Sequence, residues 1–436
     1  MALLEPNLET KLLKDFERIR ATTINLVKTL EYDDYVIQTA PYTSPPKWHI
    51  GHTSWIYEAI MNKIDSKCEF YSAEFSKYLN SYYQQYGKPH NKAERGIMSR
   101  PTINQIFEYS EIVNKRVRDF VTSHDIDAKI IKLLTIGLHH ECQHQELLVY
   151  DLQHMLAEKY KPIQKNNSPQ SMHVDSQKTV YMDGGTYRMG YNGKKFCYDI
   201  ELPEHNVYLE DYRIDAFPVT CGQYVEFIND AGYKNFRYWL ADGWEKVNEN
   251  GWSCPMYWTK LDGKWHVRDF AGLRPIDPDE PVCNVSYYEA SAYCKWADKR
   301  LPTEAEWEKA AVFDSDKDCK REYPWGVQAP DSTRANLLES YIWKPSRIGS
   351  YPSSSSPSGC EQMIGDVWEW TSSEFIGYPR FKSEFDEYND KWFTGQKVLR
   401  GGSFGTPSMS VRSSYRNFFR LDERWMFAGF RCAQDV

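Results

Sequence analysis

The sequence predicts an α+β protein: a helix bundle followed by a domain of short strands and long irregular segments. Three observations carry this. Apolar residues recur at helical spacing up to about residue 160. Residues 161–178 (KPIQKNNSPQSMHVDSQK) are polar and hold proline, asparagine and serine, a linker composition. Beyond them, short β-like runs are broken by glycines. A chain of 436 residues exceeds one typical core, so the expected division is a helical domain at 1–160 and a mixed domain at 179–436.

Taken in order, Leu12, Phe16, Ile19, Leu26 and Leu30 mark a first helix. Ser44 and Pro45, a capping residue followed by a proline suited to the first helical position, open a second. A third follows Arg100 and Pro101, with Ile103, Ile106, Phe107, Ile112, Val113, Val117 and Phe120 on its apolar side. The fourth runs from about Ile126 to Lys159. Four long helices joined by loops predict a bundle. In the second half, Val180–Met182 and Thr186–Met189 are expected strands. Ser286–Ala297 and Pro302–Val312 are the only convincing helices there.

Composition narrows the function. A formal charge of −8 argues against nucleic acid or an anionic membrane as main partner. No run of eighteen apolar residues predicts a membrane span. Met1 to Leu13 is polar and of mixed charge, without the apolar centre of a secretory signal. The ten cysteines form no C-x-x-C pair, which fits a reduced cytoplasm.

Eight of the eleven histidines precede residue 160, and the fourth helix carries HHECQHQE at 139–146. His140 and His144 are four apart, so they share a helix face and can grip one ion. Glu146 points roughly 120° away from His140 and is a poor ligand. Asp151 returns to the His140 face, where it is placed to orient a ligand histidine. A third ligand has to come from another helix. His52 lies in PPKWHIGHTSWIYEA, with Trp48, Trp55 and Ile56 on its side of the helix. In such a buried stripe an unpaired polar ring costs about 1–3 kcal/mol. His49 falls on a different face and reads as peripheral. Three imidazoles suit zinc, iron or nickel alike.

The segments WHIGH, LNSYYQQYGKPHNKAERGIMSRP and HHECQHQE together resemble the DinB-like bundle of the ergothioneine-type sulfoxide synthases. The second half resembles the formylglycine-generating-enzyme-like, C-type-lectin-like domain fused to that bundle. It does so through YMDGGTYRMG (181–190), RLPTEAEW (300–307), GDVWEW (365–370), VLRGGSF (398–404) and AGFR (428–431). The resemblance implies an Fe(II) centre on His52, His140 and His144, with dioxygen as co-substrate. It implies carbon–sulfur bond formation and sulfoxidation between hercynine and a thiol amino acid, in a cleft between the two domains. Residue by residue, Gln143 and Asn417 match hercynine contacts. Phe418 matches the aromatic partner of the trimethylammonium, a contact of about 0.5–2 kcal/mol. Lys92 and Arg95 match cations for the thiol substrate's carboxylate. Tyr82 and Tyr83 match a tyrosine pair near the metal and are candidate acids, with Tyr388 the next choice.

Phe419 stands where the branch that uses γ-glutamylcysteine carries an acid, and Glu423 lies near that branch's arginine, so free cysteine is the expected thiol. An ovothiol-type 5-histidylcysteine sulfoxide synthase and a selenoneine-type synthase stay open. A formylglycine-generating enzyme would need a cysteine pair after Gly401–Gly402, and SFGTPSMSVRSSYRN has none. A DinB-type zinc-dependent thiol transferase would share the histidines but has no use for the second half. A lectin-like binding module leaves the histidine trio unexplained.

Overall fold

Among the described residues, five α-helices form the first half, and the start signals of several are local. In the computed structural model, which describes residues 8–164, 168–385 and 388–436, these are α1 (Leu8–Val27), α2 (Pro46–Ile64), α3 (Ala73–Leu79), α4 (Ile103–Ser123) and α5 (Ala128–Leu156). Residues 1–7 of the N-terminal reading and 165–167 of the expected linker lie outside the described residues. Thr102 caps α4 in a reciprocal box with Gln105, and the Asp127 carboxylate accepts the Ile130 N–H at the start of α5. α1 ends at Val27 and passes directly into a turn, so Leu30, whose N–H bonds the Val27 carbonyl, is not helical.

The opening of α2 corrects the sequence reading. Pro45 is its cap and Pro46 its first residue, while Ser44 is used elsewhere: its N–H bonds Asp151 and its hydroxyl accepts from Arg95. Every residue from Pro46 to Ala59 is buried, because α2 packs against α4, α5 and α3. A helix buried all round is the central one of its bundle. Arg20 of α1 occupies the polar middle, donating to Asn114, Thr53, Glu141, Ser54 and Ser110. A buried guanidinium is tolerated only when its donors are satisfied in this way.

The chain divides into two compact units, residues 1–163 and 164–436. The second opens with β1 (Thr179–Met182) and β2 (Gly185–Met189), then β3 (His205–Leu209) and β4 (Tyr212–Asp215). After α6 (Cys221–Asn229) and α7 (Ala241–Asn250) comes a meander of β5 (Trp258–Leu261), β6 (Lys264–Asp269) and β7 (Gly272–Pro275). The expected helices follow as α8 (Tyr287–Trp296) and α9 (Glu304–Val312), then the short pair β8 (Phe313–Asp314) and β9 (Cys319–Lys320). The remaining strands are β10 (Trp368–Glu374), β11 (Lys397–Arg400), β12 (Asn417–Phe419), β13 (Ala428–Gly429) and β14 (Ala433–Asp435). They build one sheet in the order β12-β11-β10-β13 and complete another, β1-β4-β14. The architecture is α+β, with long irregular segments between elements.

Helices α6 and α7 are not among those the sequence predicts. At nine and ten residues each, they offer too few turns for periodicity to stand out from their flanks. The family-like motifs have a structural reason. In RLPTEAEW, Thr303 and Glu306 cap α9, Glu304 bonds Arg400 as does Glu308 a turn later, and Trp307 donates to Glu369. Arg431 of AGFR pairs with the same Glu369.

Candidate metal centre

Because α2 is central, its His52 is fully buried and faces α5. There it meets His140 and His144, with ring centroids 5.0 and 4.6 Å away; those two lie 4.5 Å from each other. One nitrogen from each ring lies within 4.8 Å of the others. Among the described residues this is the one group of three or more histidine, cysteine or carboxylate donors close enough to share an ion.

The His52 ring is sandwiched by its own helix. It stacks on Trp48 at 4.5 Å and 12°, and on Trp55 at 5.9 Å and 19°. Its Nδ1 donates to the Leu79 carbonyl at 2.5 Å, so Nε2 carries a lone pair, 3.3 Å from Nε2 of His140. Burial pushes the His140 imidazole down to about 3 and holds His52 and His144 well below the usual histidine range. Neutral rings with converging lone pairs are what a transition metal takes, so this donor set fits a metal. His144 is only half-buried, the most open member of the three.

His49, read from the sequence as peripheral, is buried 3.0 Å from His144 and 2.9 Å from Asp151. Three residues before His52, it lies on the same side of α2 and also reaches His144, so the reading of a different face is corrected. Nor is it peripheral, because α2 has no solvent side here. Asp151 contacts His49 and not a member of the trio directly. Glu146 accepts from the Tyr150 hydroxyl at 2.6 Å, outside the trio.

Arg95 is 5% exposed, its guanidinium 3.3 Å from the Trp48 ring centroid and bonded to the Ser44 hydroxyl at 2.8 Å. Burial pulls it down to about 9, with the Asp151 charge opposing, so it stays cationic at neutral pH. Lys92, on the same short helical turn, is exposed. Gln143 is half-buried on α5 beside His144. Tyr83 is buried and Tyr82 half-buried, with ring centroids 4.5 Å apart. Tyr83 also packs on Trp55, the partner of His52.

In the second unit, Asn417, Phe418 and Phe419 form β12 and are all half-buried. The Asn417 side-chain oxygen accepts the Phe418 N–H, Phe418 stacks on Phe375 at 3.9 Å, and Phe419 meets Trp425 edge-on. Tyr388 is buried and stacked on Tyr198. Glu423 accepts the Arg420 N–H, a turn contact.

Residues 164–436 match the family model of the sulfatase-modifying factor enzyme 1-like domain. Hercynine oxygenase of Mycobacterium tuberculosis is 42% identical over 240 residues, covering 55% of this chain and 56% of that protein. Hercynine oxygenase of Mycolicibacterium smegmatis is 39% identical over 266 residues, 59% and 61% respectively. Formylglycine-generating enzyme of Thermomonospora curvata is 29% identical over 298 residues, with 59% and 93% covered. The chain therefore spans little more than half the length of the hercynine oxygenases it matches. With more than half of its residues inside the family match, the chain belongs to the sulfatase-modifying factor enzyme 1-like family.

Proposed function

We propose that the chain is a cytoplasmic, iron-dependent oxygenase that joins the sulfur of free cysteine to the imidazole of hercynine and delivers the product as a sulfoxide. The observation that carries this reading is the convergence of His52, His140 and His144 with their rings held neutral. Similarity to hercynine oxygenases supplies the substrate class. The three histidines would hold Fe(II), which when bound supplies the redox chemistry that lets oxygen react with a thiol.

The chain's own groups bind and position. Arg95, fixed on Trp48 and Ser44, is assigned to the cysteine carboxylate, since a guanidinium offers paired donors of the right spacing. Lys92 adds positive potential from the surface. Gln143 and Asn417 are assigned to hercynine by hydrogen bonding, and Phe418 to its trimethylammonium. The Phe419 ring offers no charge to the ammonium of a γ-glutamyl group, which favours free cysteine. The hydroxyl of Tyr82 or Tyr83 is the proton donor.

The test is to incubate Fe(II)-reconstituted protein with hercynine and cysteine under air and analyse products by mass spectrometry. The expected product is the cysteinyl-hercynine sulfoxide. Thiol oxidation alone, from protein with full iron occupancy, overturns the reading.

A further inference from the structure

We propose that His49 and Asp151 are positioning residues that fix the tautomer of His144 through a hydrogen-bond chain, Asp151–His49–His144. This rests on the metal-site reading above. Asp151 Oδ2 lies 2.9 Å from His49 Nε2 and also accepts the Ser44 N–H at 2.8 Å. An ionised carboxylate only accepts, so the His49 proton sits on Nε2 and its Nδ1 bears a lone pair. That lone pair is 3.0 Å from Nδ1 of His144. Two lone pairs do not face each other at this distance, so His144 carries its proton on Nδ1. Its Nε2 is thereby left free for a metal.

His52 reaches the same state by a shorter route, with Nδ1–H given to the Leu79 carbonyl. The two ligands therefore differ in what stands behind them: a neutral peptide oxygen for His52, a carboxylate one ring removed for His144. The chain lets Asp151 strengthen a ligand it does not touch, and it pins the most open ring of the trio against rotation. It is enclosed, Asp151 and His49 each being 2% exposed.

Two measurements on the full chain decide this. The first is the ring ¹⁵N shifts of histidine-labelled, Zn(II)-loaded protein, which read the tautomers without any substitution. The expected pattern is His49 protonated on Nε2 and His144 on Nδ1; a proton on His144 Nε2 overturns the proposal. The second is Zn(II) affinity of the apoprotein by chelator competition. His49→Phe and Asp151→Leu should each weaken binding by about 10–100-fold, and the double variant by no more than either. Asp151→Asn, which keeps an acceptor oxygen, should hold affinity to within about fivefold of the unsubstituted protein, whereas a purely space-filling role would leave Asp151→Leu, of similar size, equally unaffected. Unchanged affinity in His49→Phe overturns the proposal alone. Failure of the unsubstituted protein to bind Zn(II) overturns the metal-site reading with it.

Discussion

His52, Arg95 and Tyr83 are buried polar side chains, and single substitutions test the roles proposed for them, for the two other histidines and for Tyr82. His52→Ala, His140→Ala and His144→Ala should each lose most bound iron with the helical circular dichroism retained, measured by metal analysis after desalting. Full occupancy in His52→Ala would contradict the assignment. Arg95→Leu removes a buried cation that bonds Ser44, and charge-assisted bonds of this kind are worth about 1.5–3 kcal/mol. A drop in kcat/KM for cysteine of about 10–100-fold is expected, carried by KM. Tyr82→Phe and Tyr83→Phe keep the ring contacts and lose only the hydroxyl. At least one should shift products from the sulfoxide toward cysteine sulfinic acid, and an unchanged ratio in the double variant would make both packing residues. The histidine trio was legible because spacing and an apolar stripe are local properties. The burial of Arg95 was not, since nothing in KAERG distinguishes a cation stacked on Trp48 from one in water.

At the scale of the element, α9 and β13 show why short motifs read so clearly. Burial opposes ionisation of Glu308 on α9, but the charges and hydrogen bonds of Lys320 and Arg400 outweigh it and pull the carboxyl down to about 2. The group is more acidic folded than unfolded, so its contribution is complete at neutral pH and is lost as pH falls from 4.5 toward 2. Glu308→Gln should cost on the order of 3 kcal/mol at pH 7, with the gap to the unsubstituted protein closing through that window in urea titrations. In β13, a Cβ at Gly429 would lie 2.3 Å from the Val282 carbonyl oxygen, a backbone atom with little room to move. Gly429→Ala should therefore destabilise the second unit by about 1–3 kcal/mol or more. Both motifs that carry the family resemblance here are explained structurally, by buried ion pairs in α9 and by close packing in β13.

Across the whole molecule, the donor trio belongs to the first unit alone, since all three histidines precede residue 163. Metal that binds the folded bundle and not its unfolded chain stabilises it by about 2.7 kcal/mol at a free concentration of 100 Kd. Chelator should lower the calorimetric transition of the first unit and leave that of the second in place; a shift in the second transition alone would place the metal elsewhere. At the same scale, the thiol preference tests the reading of β12. Cysteine should exceed γ-glutamylcysteine in kcat/KM, and a tenfold preference the other way, about 1.4 kcal/mol, would overturn the role given to Phe419.

What the sequence determined by itself is whatever one helix or one short motif decides. Helical periodicity located four long helices, phase put His140 and His144 on one face, and the apolar neighbours of His52 marked it as buried. Tertiary structure alone decided which polar groups serve those histidines. Asp151 and His49 are 102 residues apart, and Ser44 and Arg95 51 apart. Such pairs depend on how α2 settles between α4 and α5, which is set by side-chain volumes across the whole bundle. Helical phase puts His49 beside His52, but that it bridges Asp151 and His144 was again decided by packing. Periodicity tells which side of a helix a residue takes, but only packing tells whether that side is covered.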